Sequence, residues 1–279
     1  VLNPGATHLA VWGDPIDHSR SPLLHGAAYA ALGLDWTYER RRVTEGEFAS
    51  TLAGLDATWR GLSVTYPLKS AALRASTSID DRARMTGAVN TLLLAGGTVQ
   101  GFNTDVGGIT ASLAENGVAT PSRGRIVGAG ATATSALLAL AELGASDVEV
   151  VARRPDAVDP LAALGDVLGV RVTTASFDSS FVPADVTIAT LPGGADVPDA
   201  AADALAATGG FLLDVVYGHW PTTLAAAWER RGAPVTDGLG MLLHQALLQV
   251  RVFVSEHVER PLAGEESVLA EMRRSVMGD

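Results

Sequence analysis

"RIVGAGATATSALLALAELG", residues 125–144, decides the fold of this chain. An apolar strand runs into Gly128, Gly130 follows, and Ala133 takes the third small position of a G-x-G-x-x-G/A loop, where a helix begins. Glycine is needed because the backbone turns tightly there and must approach a pyrophosphate closely. The helix start adds free N–H donors and the positive end of its dipole. Gly128, Ala129, Gly130 and Ala131 are therefore candidate cofactor-binding residues. A plain tight turn explains the glycines less fully, because the loop sits in a strand–loop–helix–strand frame. The next strand, "DVEVVARR" (147–154), ends in Arg153 and Arg154 and not in an acidic residue. A guanidinium suits a ribose 2′-phosphate by charge and by fork geometry, which favours NADP over NAD. Glu149 lies inside the strand, too early to hold a ribose hydroxyl.

Outward from this loop, strand-like runs alternate with helical patterns nearly throughout, which is the α/β pattern. Strands are expected at 8–13, 36–43 and 61–66, and helices at 21–33, 45–55 and from Pro67 through Arg74. A hairpin turns at Gly96-Gly97, and a helix starts at Asp105. "NGVATPSRG" (116–124) is rich in turn formers and reads as a boundary. After the phosphate loop, strands are expected at 170–177, 185–191, 210–217 and 233–236, and helices at 240–258 and 265–277. The 279 residues suit one large domain or two ordinary ones.

Apolar residues make up 47% of the chain and charged residues 18%, a globular composition. A net charge of -11 argues against a nucleic-acid or anionic-membrane partner, because binding phosphates along a polymer needs a basic face. The chain contains no cysteine, so thiolate catalysis, Cys-ligated zinc and disulfides are excluded. The six histidines show no H-x-x-x-H spacing, and no metal is expected. No apolar run reaches the roughly 20 residues of a membrane span, and the first residues lack the pattern of a signal peptide. A cytoplasmic location is the expectation.

Of the 20 basic residues only one is a lysine, Lys69, in "SVTYPLKS" (63–70). Arginine does not give up its proton in proteins, whereas lysine serves as an acid or base. In a chain that otherwise writes arginine, this lysine is a candidate proton donor. Asp105, at a helix start in "FNTD" (102–105), is either an ordinary N-cap or the carboxylate that holds the ammonium. Asn90 is either a turn former or an amide donor at a strand start. Ser19 and Ser21 precede a helix. Ser21-Pro22 reads as an N-cap with proline at the first helical position, and the two serines near His18 read equally as ligands of a carboxylate.

Together these segments resemble the shikimate dehydrogenase family. "DPIDHSRSPLLH" (14–25) resembles its substrate-carboxylate segment, and "GLSVTYPLK" (61–69) its G-x-N-V-T-x-P-x-K motif. "GAVNT", "GFNTDVGG", "GAGATA", "ARR", "DVVYGHWPTTL" and "DGLGMLLHQA" resemble its further motifs in chain order, from about residue 11 to residue 250. The resemblance implies two α/β domains: an N-terminal substrate domain (1–105 plus 238–279) and a Rossmann-type NADP-binding domain (106–237). A C-terminal helix would return to the first domain, and the site would lie in a cleft. It implies that Lys69 and Asp105 are the catalytic pair and that Ser19 and Ser21 bind the shikimate carboxylate. Thr65, Asn90, Asp105 and Gln245 would bind ring hydroxyls. Tyr217 would stand where substrate and nicotinamide meet, Gly238 and Met241 beside the nicotinamide, and Arg153 on the 2′-phosphate. The implied activity is reversible NADP-dependent reduction of 3-dehydroshikimate to shikimate, by a monomer or homodimer. A quinate/shikimate dehydrogenase using NAD and a non-catalytic nucleotide-binding regulator are the alternatives. Ser63 and Gly26 stand where the family has asparagine, Ala131 replaces a third glycine-type position, and Ala152 and Arg154 flank Arg153 in place of Asn and Thr. The first two departures bear on ring-hydroxyl geometry, and the last on cofactor choice.

Overall fold

The computed structural model describes Gly5, residues 7–218 and residues 220–277. Residues 1–4, part of the stretch that lacks a signal-peptide pattern, and His219 of the "DVVYGHWPTTL" motif lie outside the described residues. The chain divides into two compact units, Val1–Gly108 with Leu242–Asp279, and Ile109–Met241.

The first unit opens with β1 (His8–Gly13), α1 (Ser21–Ala31), β2 (Thr37–Arg42), α2 (Phe48–Ala53), β3 (Trp59–Val64) and α3 (Lys69–Ala75). β4 (Ser78–Ile79), α4 (Asp81–Thr86), β5 (Thr91–Ala95), β6 (Thr98–Phe102) and the start of α5 (Asp105–Glu115) follow. The strands form one sheet in the order β2-β1-β3-β5-β6-β4. β1, β2 and β3 are parallel, while β5 runs antiparallel to both β3 and β6. That reversal gathers chemistry at one end of the sheet. Ser63 pairs with Thr91 and Thr91 with Phe102, so the exits of β3 and β6 lie beside the entry to β5. The exit of β1 joins them, because Trp12 pairs with Val64.

Successive residues in a strand face opposite sides, and here both sides are buried. Leu9 and Leu93 point into one core and Ala10 and Leu92 into the other. The first core is completed by the end of the chain, through Val250 and Phe253 and then Val268 and Met272.

The second unit contains β7 (Arg123–Val127), α6 (Ala131–Glu142), β8 (Asp147–Val151), a 3₁₀ turn (Pro155–Val158), α7 (Asp159–Leu168) and β9 (Arg171–Ala175). Then come β10 (Val186–Ala189), α8 (Asp199–Thr208), β11 (Phe211–Asp214), α9 (Thr223–Arg230) and β12 (Val235–Thr236). All its strands are parallel, in the order β12-β11-β10-β7-β8-β9. Read from β9, this is the 3-2-1-4-5-6 order of a Rossmann sheet, whose order reverses between β7 and β10. The chain closes with α10 (Leu239–Ser255) and α11 (Glu265–Met277).

Several local expectations are corrected. The helix expected from Pro67 begins at Lys69, because residues 66–68 form a turn; Lys69 is its first residue and does not sit a turn further in. Ser21 is not an N-cap. It is the first residue of α1, and Arg20 holds the cap position with no side-chain hydrogen bond. Asp105 likewise lies inside its helix, and the cap is Asn103, whose Oδ1 accepts from the N–H groups of Asp105 and Val106. The helix after the phosphate loop starts at Ala131, not Ala133, with Gly130 in extended conformation before it. β4 and α4 were not anticipated.

Candidate active site

In the first unit the site is built on the collected strand ends. Lys69 Nζ donates to Asp105 Oδ2 at 2.5 Å, and both side chains are largely buried, at 12% and 7% exposure. An ion pair this withdrawn from water is only weakly screened, so the carboxylate fixes the position of the ammonium. The other oxygen, Asp105 Oδ1, accepts from Asn90 Nδ2 at 2.7 Å. The rotamer of Asn90 is determined in turn, because its Oδ1 accepts from the Thr104 N–H at 2.9 Å and from Thr91 Oγ1 at 2.8 Å. Its second amide hydrogen faces Thr104 Oγ1 at 2.9 Å.

Thr65 follows β3 directly, its N–H donating to Trp12 O at 2.9 Å. A Cβ on Gly13 would lie 2.5 Å from Thr65 Cγ2, so the glycine leaves room for the threonine. Ser19 and Ser21 are buried and share a hydrogen bond of 3.2 Å between their hydroxyls, and Arg40 Nε holds Ser19 O at 2.7 Å. Gln245 is buried on α10, its Nε2 donating to Leu242 O at 2.9 Å.

The second unit carries the expected cofactor residues at the carboxyl ends of its strands. Gly128 has φ +115°, and a Cβ there would lie 2.6 Å from Thr190 Oγ1, so only glycine fits. Its N–H donates to Val151 O at 2.9 Å, which sets the loop beside the end of β8. Ala129 and Gly130 lead into α6, which starts at Ala131; the Ala133 N–H donates to Gly130 O at 2.9 Å, and the N–H groups before it have no partner within the helix. Arg153 and Arg154 follow β8 and are exposed. These positions fit a dinucleotide with a 2′-phosphate: the pyrophosphate on the loop and helix start, the phosphate on the arginines. Glu149 accepts from Arg125 Nε at 2.7 Å inside the core, which accounts for this acid without a ribose. Tyr217 follows β11, and Gly238 follows β12 with its N–H on Val216 O at 3.0 Å. A Cβ on Gly238 would lie 2.1 Å from Val215 O. Met241 is buried in the first turn of α10.

Gln249, one turn after Gln245 on α10, has no motif to mark it in the sequence. It is 2% exposed and bonded to Ser63, His25, Thr91 and the carbonyl oxygen of Asn90. The available signal was a second glutamine at i+4 in a mostly apolar helix. Ser63 is fully engaged, accepting from Tyr38 Oη at 2.6 Å and donating to Gln249 Oε1 at 2.7 Å.

The profile of the shikimate dehydrogenase substrate binding domain matches residues 11–92. The chain is 35% identical over 260 residues to the shikimate dehydrogenase (NADP(+)) of Methanothermobacter thermautotrophicus, covering 89% of this chain and 92% of that protein. The crystal structure of Mycobacterium tuberculosis shikimate dehydrogenase matches at 39% identity with a TM-score of 0.84, over 95% of this chain and 98% of that one. Shikimate 5-dehydrogenase of Thermus thermophilus, solved with NADP(H) and shikimate, matches at 27% identity with a TM-score of 0.79, over 96% and 99%.

Proposed function

Because this chain belongs to the shikimate dehydrogenase family, we propose that Lys69 and Asp105 form the acid–base pair of an NADP-dependent shikimate dehydrogenase. The reaction is the reversible reduction of 3-dehydroshikimate to shikimate. When bound, NADPH supplies the hydride that the ring carbonyl carbon accepts. The Lys69 ammonium donates its proton to the oxygen on which negative charge develops. Asp105 holds that ammonium in place and carries the compensating charge. In the oxidative direction the neutral amine takes the proton back. Ser19 and Ser21 receive the substrate carboxylate, and Thr65, Asn90 and Gln245 orient the ring hydroxyls. Arg153 and Arg154 select the 2′-phosphate, with Gly128, Ala129, Gly130 and Ala131 on the pyrophosphate. Tyr217, Gly238 and Met241 line the nicotinamide side. The proposed setting is the cytoplasm, as a monomer or homodimer. No helix among the described residues is long and apolar enough to cross a membrane.

The observation that carries this reading is the largely buried Lys69–Asp105 pair, made by the chain's one lysine. Lys69→Ala is expected to lower kcat by about 10³-fold with only a small change in the KM for shikimate, because general acid–base catalysis contributes at that level. Initial rates of NADPH or NADH formation, with shikimate and quinate against NADP and NAD respectively, measure this. A kcat near the parent value in Lys69→Ala would remove the assignment.

A further inference from the structure

The buried polar groups behind Asp105 form one directed chain. Gln249 Nε2 faces the carbonyl oxygen of Asn90 at 3.3 Å, an obligate acceptor, so the amide nitrogen must lie on that side. The same nitrogen donates to Thr91 Oγ1 at 3.0 Å. Gln249 Oε1 is thereby turned toward Ser63 Oγ at 2.7 Å and His25 Nε2 at 3.1 Å, both of which must donate. Tyr38 then donates to Ser63, and Tyr29 Oη donates to His25 Nδ1 at 3.1 Å. On the other side, Thr91, having accepted from Gln249, donates to Asn90 Oδ1 at 2.8 Å, and Asn90 donates to Asp105 Oδ1 at 2.7 Å. Every donor along this path points toward the carboxylate. Hydrogen bonds ordered head to tail in a low-dielectric interior polarise one another and hold a single arrangement.

We infer that Gln249 is a positioning residue for the acid–base pair: acting through Thr91 and Asn90, it fixes the rotation of the Asp105 carboxylate and so the place of the Lys69 ammonium. The inference rests on the proposed reading of Lys69 and Asp105. It also gives Ser63 a task. The serine does not present its hydroxyl to a ring; it orients the amide of Gln249. The stacking of His25 on Tyr38, with centroids 3.9 Å apart and planes 8° from parallel, stiffens the far end of the chain.

Thr91 is the point at which to test this, since its hydroxyl carries the link and belongs to neither the pair nor the proposed substrate contacts. Thr91→Val removes the hydroxyl at nearly constant shape, and Thr91→Ser keeps it. The valine variant is expected to lose about tenfold in kcat with the KM for shikimate within about twofold, since small misplacement of a reacting group costs rate before binding. Its pH–kcat profile should shift, because the ammonium meets a differently turned carboxylate. The serine variant should recover kcat to within about twofold, and Thr91→Val combined with Gln249→Leu should be no slower than the slower single variant. Urea unfolding of each protein separates lost stability from lost rate. Parent kcat and pH profile in a folded Thr91→Val would overturn the inference, as would equal impairment of the serine and valine variants or additive losses in the double variant. If Gln249→Leu does not fold, the valine–serine pair decides alone. An active Lys69→Ala would instead overturn the acid–base reading, so the two failures are distinguishable.

Discussion

At His25 two requirements are met by one ring: it must lie fully inside the first unit, and it must donate to Gln249 while accepting from Tyr29. Only the neutral ring can do both. Burial lowers its pKa from 6.5 to about 3, against the opposing hydrogen bond with Gln249. The unfolded chain therefore binds a proton below about pH 6.5 that the folded chain refuses. Stability from this residue is complete above that pH and falls by about 1.4 kcal/mol per unit as the pH drops toward the folded value. Between pH 7.5 and pH 5, the parent is expected to lose about 2 kcal/mol more than His25→Phe in urea unfolding. Equal pH slopes in the two proteins would contradict this. Lys69 stood out in the sequence because composition singled it out, and its ion pair with Asp105 gives it a fixed place in the structure. Gln249 did not, because one polar residue among several in a mostly apolar helix has no signature until its partners, distant in sequence, are brought to it. Ser63 was legible only as a departure, and its two hydrogen bonds explain it.

At the level of the element, long alternating or amphipathic segments were readable and their ends were not. β1, α1, the β5–β6 hairpin and the strand–loop–helix at β7 follow from local pattern. α4 is a six-residue helix capped by Asp80, which accepts from the Ala83 N–H at 2.7 Å, and it offers too few residues for periodicity to show. The helix start at Lys69 was misplaced because proline so often opens a helix, whereas here it belongs to the preceding turn. β3 illustrates a constraint that only packing reveals. A Cβ on Gly61 would lie 2.5 Å from the Phe253 ring of α10 and 2.7 Å from the carbonyl oxygen of Leu92 in the paired strand. The ring has some freedom to move but the backbone oxygen does not. Gly61→Ala is expected to destabilise the protein by about 2 kcal/mol through overpacking, read as a lower urea midpoint. An unchanged midpoint would show that α10 shifts at no cost.

For the whole molecule, the unit that holds Lys69 and Asp105 is made from both ends of the chain. Leu243, Leu247, Val250 and Phe253 of α10 and Val268 and Met272 of α11 complete the core that Leu9, Leu24 and Leu93 begin. A chain ending at residue 241 is expected to leave that face of the sheet bare, bind a hydrophobic dye strongly and lose cooperative unfolding of the first unit. Dye binding at the parent level would show that the sheet closes its core some other way. The return of the last helix came from the family resemblance and not from pattern, since periodicity says that a helix is amphipathic without saying what it meets. During synthesis the same arrangement imposes an order. Residues 1–108 emerge first, yet the 133 residues of Ile109–Met241 must be translated before any of α10 beyond them exists. At about 5–20 residues per second that interval is roughly 7 to 27 s. By its end the second unit has all its own strands and can fold, while throughout it the earlier sheet waits with an apolar face uncovered and Asn90 without Gln249 behind it. The segment made first is thus the last to become competent, and over that interval it is a natural client for chaperones.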